Sequence, residues 1–212
     1  EMLGLPYDKP AAYTRDYLQV LNAAISGPGD VDVENVSFTV HNPTVLGADT
    51  PMPVLVSALG PVMLQLAGAH ADGTSLWMAD EKAIGEHIAP KINKAAAEAG
   101  RPAPRIVAGI PVTLCANSEI ESAKDRANRV LAEAETSPNY QRLLDRGEAR
   151  NVGDLCAAGD EESILKRFKQ FADAGVTDLS VRLLPIGDSR DELIASKYRT
   201  REVIAELAKQ VR

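Results

Sequence analysis

Aromatic residues, cysteines and histidines are scarce in this chain. Only 4% of its 212 residues are aromatic, and it has one tryptophan, two cysteines and three histidines. Two thiols, Cys115 and Cys156, cannot supply the disulfide framework of a small secreted protein, so we predict reduced thiols and a cytoplasmic location. His41, His70 and His87 lack the spacing of metal ligands. We therefore expect no metal centre.

Positive charge is also in deficit. The 23 basic residues face 30 acidic ones, which gives a formal net charge of −7. This balance argues against nucleic acid or an anionic membrane as a partner. No apolar run approaches the roughly 20 residues that span a bilayer, and no secretory signal opens the chain. The 45% apolar content is typical of a globular protein with one core.

The chain does contain alternating strand and helix patterns. Four apolar runs predict strands, near residues 53–59, 74–79, 106–115 and 179–184. A segment of helical spacing follows each run, which predicts parallel βα units. A helix at about 9–26 and a two-stranded hairpin at about 31–41 precede them. Four units do not close a barrel, which needs eight.

The stretch from residue 53 to residue 78 is the most informative. Its first apolar run, 53–59, predicts a strand buried on both faces. Gly60 allows a sharp bend, and Pro61 suits the first position of a helix. The amides of Gly60, Val62 and Met63 would then point outward at a positive helix end, where a cofactor phosphate can bind. Most helix N-termini bind only water, and the familiar glycine-rich nucleotide loops are absent, so the spacing alone leaves both interpretations open.

Four segments, in this order, resemble the luciferase-like family of flavin- and deazaflavin-dependent oxidoreductases. They are residues 4–10, residues 54–73 with Ser-Ala-Leu-Gly-Pro and Ala-Asp-Gly motifs, residues 101–105, and residues 172–178. The combination is similar to the branch of the family that uses coenzyme F420. The resemblance extends over nearly the whole chain.

The resemblance implies an α/β fold of the TIM-type (β/α)8 barrel family, with a hairpin inserted before the fifth strand. On that map, residues 1–212 are a single domain that carries strands five to eight, the C-terminal half of the barrel. A start at Glu1 rather than Met agrees with a missing N-terminal half. We therefore expect the isolated chain to be inactive, and to need that half or a second copy, as in a homo-oligomer.

The resemblance further implies an oxidoreductase that transfers a hydride between F420 and an unknown small organic substrate. The coenzyme tail would lie at the turn after barrel strand five, which corresponds to Ala58, Leu59, Gly60, Val62 and Met63. Hydride transfer needs little acid–base machinery, because the cofactor carries the chemistry. No catalytic residue is therefore predicted from this half of the barrel.

Three other residues are candidates, each with a structural alternative. Trp77, near the end of the second strand, stacks on the cofactor or fills the core. Arg182 shares a strand face with Ser180 and either meets an anionic ligand or pairs with an acidic neighbour. Tyr140 overhangs the barrel mouth as a substrate contact or simply packs.

Two histidines are interpreted as structural. His70 lies late in its helix, where a cation would complement the helix dipole. His87, together with Glu81 and Glu86, is predicted to lie on a solvated helix face.

Two alternative functions remain open at this point. One is an FMN-dependent monooxygenase on the same barrel, which would need a flavin reductase partner and oxygen. The other is a non-catalytic half-barrel module that assembles with a partner.

Overall fold

The computed structural model describes residues 8–26, 30–42, 52–131 and 137–211. The helices are α1 (Pro10–Ile25), α2 (Pro61–His70), α3 (Glu81–Ala83), α4 (Ala89–Glu98), α5 (Ile120–Leu131), α6 (Pro138–Leu144), α7 (Val152–Leu155), α8 (Glu161–Asp173) and α9 (Arg190–Leu207). A π-helical turn, Ile84–Ile88, joins α3 to α4. The strands are β1 (Val31–Glu34), β2 (Thr39–Asn42), β3 (Leu55–Val56), β4 (Gly73–Trp77), β5 (Arg105–Leu114), β6 (Ala157–Gly159) and β7 (Asp178–Leu183).

Five of these strands form one parallel sheet. β3, β4, β5 and β7 lie side by side in that order, and β6 pairs with the far end of β5. The four strands predicted from sequence are thus neighbours in chain order, as sequential βα units usually are. β6 was not predicted, because its Ala-Ala-Gly sequence has little strand propensity. Most of the motif predicted at residues 4–10 lies outside the described residues.

Pro111 interrupts one edge of β5, as its missing N–H predicts. Gly109 is the last residue of β5 that pairs with β4, and Val112 is the first that pairs with β6. Just beyond β5, the Cys115 N–H donates to the Gly159 carbonyl of β6 at 2.9 Å. Because alternate residues of a strand point their backbone groups to the same side, the odd-numbered residues of β5 point theirs toward β4 and β6. The nitrogen of Pro111 therefore faces the gap between β4 and β6, where no donor is needed.

Helices cover one face of the sheet. On that face of β5, side chains are at most 1% exposed, namely Ile106, Ala108, Ile110 and Val112. They pack in the main core with residues of the surrounding helices, among them Leu64, Ile92, Phe168 and Phe171. Burial of this apolar surface is the main stabilising contribution to the fold.

The opposite face of the sheet, here called the open face, is polar and accessible. Side chains alternate along a strand and neighbours in register share a face. The register therefore places Ser75, Trp77, Gly109, Ser180 and Arg182 on the open face. Ser75, Ser180 and Arg182 are exposed. Toward the carboxyl end this face is covered, since Pro111 and Thr113 of β5 are buried.

β3 is shorter and less buried than predicted. Only Leu55–Val56 is a strand, Pro53 and Ser57 are exposed, and residues 54–56 are half-buried. The prediction of a strand over 53–59 that is buried on both faces was therefore wrong. The physical reason is that β3 is the edge of the described sheet and is covered by helices on one side only.

A second core cluster lies beyond the carboxyl end of the sheet, around α5, α6 and α7. It includes Met78, Leu131, Leu144, Val152, Leu155 and Leu184. Asp80, which is 5% exposed, joins this layer to the sheet. Its carboxylate accepts hydrogen bonds from the backbone N–H groups of Ala83, Glu148 and Ala149. These bonds connect the start of α3 to the loop before α7.

The two-stranded hairpin expected from sequence is present, with β1 and β2 antiparallel. Its turn covers residues 35–38, where the Asn35 N–H donates to Phe38, rather than Glu34-Asn35 alone. The hairpin packs on α1 through Asp16, whose carboxylate accepts from the Ser37 hydroxyl at 2.8 Å. In the described ranges of the chain, no helix is both long and apolar enough to cross a membrane.

Candidate functional site

The loops after β3 and β4 lie together, because these strands are parallel neighbours. Val56 pairs with Thr74, so Gly60 and Trp77, a few residues further along, come to the same carboxyl edge of the sheet. Ligands of parallel α/β sheets and barrels bind at this edge. The structure therefore brings the predicted anion turn and the predicted ring contact to one end of the molecule.

The start of α2 is accessible and has unused donors. Gly60 is the N-cap, with φ −88° and ψ 159°, and Pro61 occupies the first turn. A Cβ on Gly60 would meet no atom within 4 Å, and Val62 is 62% exposed. The Leu64 N–H donates to Gly60 at 2.9 Å, whereas the amides of Gly60, Val62 and Met63 have no acceptor among the residues that the structure describes. These are donors that an anion can use.

Two side chains from other elements fix the turn that leads to α2. The Ala58 N–H donates to the Thr74 hydroxyl (3.3 Å), which donates in turn to the Ala58 carbonyl (3.4 Å). His87 Nε2 lies 3.0 Å from the Leu59 carbonyl oxygen. Ala58 is fully buried, so of the five predicted tail-binding residues it is the one whose side chain is inaccessible.

The sequence interpretation of His87 was wrong. His87 is only 4% exposed, and Glu81 is half-buried in an ion pair with Arg167; Glu86 alone is exposed, as predicted. The signal that would have revealed His87 is its spacing, since it lies three residues after the fully buried Ile84 and therefore on the same helix face.

Trp77 is partly packed and partly accessible. The ring borders the second core cluster, but Trp77 is only half-buried and belongs to the open face. It lies directly over Gly109, where an added Cβ would be 2.7 Å from its Cε3 atom. Met78, the next residue, has φ +65°, which is costly for a residue other than glycine. This strained residue directly follows the last residue of β4.

Arg182 and Tyr140 occupy different surroundings. Arg182 is exposed on the open face beside Ser180, and no acidic side chain in the described part of the chain lies within ion-pair distance of it. The structural alternative of a salt bridge is thus not seen there. Tyr140 is half-buried on α6 and packs against the second cluster, in line with its structural alternative.

The remaining titratable candidates are structural. Burial, aided by Arg15 and Arg101, lowers the pKa of His70 and so disfavours its charged form at the end of α2. Cys115 and Cys156 are free and buried. Burial raises the pKa of the Cys156 thiol to about 11, so it is no nucleophile near neutral pH.

A cavity of about 850 Å³ lies beyond the end of β4, between the start of α3, the loop before α7 and α8. Its lining includes Asp80, Glu81, Lys82, Arg167 and Asp173. Glu81 and Arg167 pair with each other, and Asp80 is saturated by backbone donors. The exposed charged residues of the lining are of mixed sign, namely Lys82, Glu86, Glu148, Arg150 and Asp173.

Together, the parallel sheet, the helix-covered face and the accessible carboxyl edge define an α/β protein of the kind that binds ligands at strand ends. The model of the luciferase-like monooxygenase family matches residues 1–178. The chain belongs to this family.

Relatives and solved structures of similar fold include F420-dependent enzymes and monooxygenases. The chain is 24% identical over 215 residues to a 5,10-methylenetetrahydromethanopterin reductase of Methanopyrus kandleri, a match that covers 87% of this chain and 60% of the relative. The structure of the coenzyme F420 dependent tetrahydromethanopterin reductase from Methanopyrus kandleri matches with a TM-score of 0.62 and 23% identity, over 93% of this chain and 64% of that one. An EDTA monooxygenase from Chelativorans sp. BNC1 matches with a TM-score of 0.69 and 14% identity, over 97% and 61%.

These matches show the fold of a parallel-sheet α/β protein similar to the barrel of this family. The chain spans about 60% of the length of the curated relative. Whether its sheet is half of a closed barrel stays a prediction.

Proposed function

We propose that this chain forms part of an oxidoreductase that transfers a hydride between coenzyme F420 and a small organic substrate. The observation that carries the proposal is the exposed start of α2, with its unpaired amides, at the same sheet edge as Trp77. Family membership and the F420-dependent reductase among similar structures support the choice of coenzyme.

The residues present fit the phosphate-bearing tail of such a coenzyme. The amides of Gly60, Val62 and Met63 would hold an anionic group, helped by the helix dipole. The absent Cβ of Gly60 leaves room for a close approach to the backbone. The open space around Gly60 is therefore consistent with a bulky anion.

Trp77 and Arg182 would act on the open face. When bound, the coenzyme supplies the hydride donor or acceptor. The half-exposed Trp77 ring offers a flat apolar surface for a ring system and excludes water from it. Arg182, without an acidic partner in the described residues, would attract an anionic part of the coenzyme or the substrate. Tyr140 would contribute indirectly, by packing in the second core cluster beyond the carboxyl edge of the sheet.

Titration of the protein with F420 and, separately, with FMN tests the coenzyme. We expect F420 to bind with a shift in its absorption spectrum and FMN to bind more weakly. Preferential binding of FMN, with no change in the F420 spectrum, would replace this proposal by its alternative, an FMN-dependent monooxygenase. The family description and the similarity to the EDTA monooxygenase favour that alternative.

We further propose that another protein surface covers the open face. A polar sheet face with exposed Ser75, Ser180 and Arg182 would be completed by an N-terminal barrel half or by a second copy. Light scattering after size-exclusion chromatography tests this. A stable, folded monomer of the 212 residues that turns over substrate would contradict it.

A further inference from the structure

One of the two buried side chains that hold the turn before α2 is His87. His87 lies on the π-helical turn Ile84–Ile88, is 4% exposed, and places its Nε2 atom 3.0 Å from the Leu59 carbonyl oxygen. Leu59 directly precedes Gly60. π-Helical turns are rare and are frequent at functional sites, and this one directs a polar ring into an otherwise apolar core.

The protonation state of His87 follows from this contact. A carbonyl oxygen only accepts hydrogen bonds, so Nε2 carries the proton. Nδ1 is buried without a partner among the described residues. Burial lowers the pKa of His87, with Arg146 and Lys91 adding to the effect, against the contact with Leu59, which raises it. The ring is therefore a neutral donor that brings no charge to the turn.

The contact determines where the Gly60 amide points. The Leu59 carbonyl and the Gly60 N–H belong to one planar trans peptide unit, so they point in opposite directions. A carbonyl held inward by His87 leaves the N–H facing outward. Without His87, this peptide could flip, which would turn the donor inward and present a partially negative oxygen to an arriving anion.

We infer that His87 is a positioning residue for anion binding at the start of α2, because it fixes the Leu59–Gly60 peptide with its N–H outward. The inference rests on the proposed function. It concerns a side chain that would not touch the coenzyme.

The test compares His87→Leu and His87→Gln with the control Glu86→Gln, a change at the exposed neighbour on the same turn. We expect His87→Leu to weaken F420 binding about tenfold, the loss of one well-placed donor. His87→Gln, which keeps an N–H donor, should recover part of the affinity, and Glu86→Gln should bind like the wild type.

A second readout needs no coenzyme. In the coenzyme-free protein, His87→Leu should shift the Gly60 amide resonance and slow its hydrogen exchange, because a flipped peptide turns this otherwise accessible N–H inward. If the resonance and the exchange rate of the Gly60 amide stay those of the wild type while global stability falls, His87 is merely structural and the inference is overturned. Equal F420 affinity of the wild type and His87→Leu overturns it as well, while the proposed function stands. If the wild type binds neither F420 nor FMN, the proposed function fails and the role in anion binding fails with it.

Discussion

The two ends of the parallel sheet differ in how fully their polar groups are used. At the amino end, Arg105 and Asp178 form an ion pair at 2.7 Å. Asp72 pairs with Arg101 at 3.0 Å and accepts from the Val54 N–H at 2.8 Å. At the carboxyl end, donors at the start of α2 have no partner in the described chain, and the strained Met78 follows a half-exposed Trp77.

This difference indicates that the amino end of the sheet serves stability and the carboxyl end serves binding. Polar groups at the amino end bond to one another, so few of them remain to bind a ligand. At the carboxyl end, the backbone donors at the start of α2 stay free and Met78 keeps a strained conformation. Such a division is expected for parallel βα folds, whose sites lie at the carboxyl ends of the strands. Substitutions at the amino end should therefore affect unfolding, and those at the carboxyl end should affect binding.

The largest effect is expected from Gly73→Ala at the amino end. Gly73 has φ +155°, and an added Cβ would overlap the backbone of Arg105 on the neighbouring strand. Because a sheet backbone cannot yield locally, the free energy of unfolding should fall by about 3 kcal/mol or more. Urea denaturation measures it. Gly60→Ala is the matched control at the carboxyl end, where the Cβ meets open space, and should change stability by less than about 0.5 kcal/mol. If both variants lost the same free energy of unfolding, the proposed difference between the two ends of the sheet would be wrong.

An intermediate effect is expected from Gly109→Ala, beneath the Trp77 ring. The new methyl group would displace the ring, which should cost about 1–2 kcal/mol and change the fluorescence of the only tryptophan. The same substitution in a Trp77→Ala background should cost less, because the obstructing ring is gone. Identical costs in both backgrounds would show that the ring does not lie over Gly109 in solution.

A smaller effect is expected from Asp178→Asn, again at the amino end. The hydrogen bond from Arg105, with one from Thr177, lowers the pKa of Asp178 in the folded protein. A carboxylate of this kind stabilises the fold above its unfolded pKa of about 3.9, and the contribution is lost as pH falls through the lower folded value. The variant should thus be slightly less stable at pH 7, and the difference should vanish in acid. A difference that grows on acidification would contradict this.

No effect is expected from thiol reagents at pH 8 on the folded protein. Burial raises the pKa of both Cys115 and Cys156, so neither forms the reactive thiolate. Both should react after unfolding in urea, which is the internal control. Rapid labelling of Cys156 in the native state would show that the second core cluster opens.

Much of the fold was predictable from sequence, because long periodic segments report their own secondary structure. β4, β5, β7 and most helices were placed correctly. The start of α8 is capped by Asp160, whose carboxylate accepts from the Ser163 N–H at 2.9 Å. The edge position of β3 was not predictable, because burial depends on which neighbours are present. The three residues of β6 are too few to form a pattern.

The candidate site was only partly predictable. Gly60 and Trp77 could be identified from local sequence. Gly60 is a turn residue before a proline, and Trp77 is the only tryptophan and lies at a predicted strand end. The contact of His87 with Leu59 spans 28 positions in sequence, and no local pattern encodes it. The exposure of Arg182 without an acidic partner likewise depends on three strands coming together.

The most direct test of the central claim compares Gly60→Asp and Gly60→Asn with the wild type. Both side chains suit an N-cap with these backbone angles and should leave stability equal or about 0.5–1 kcal/mol higher. Both would occupy the free amides of α2, but only Asp adds a negative charge. The account predicts F420 affinity in the order wild type, Gly60→Asn, Gly60→Asp, with a loss of at least about tenfold for Gly60→Asp. A folded Gly60→Asp protein that binds F420 as tightly as the wild type would contradict it.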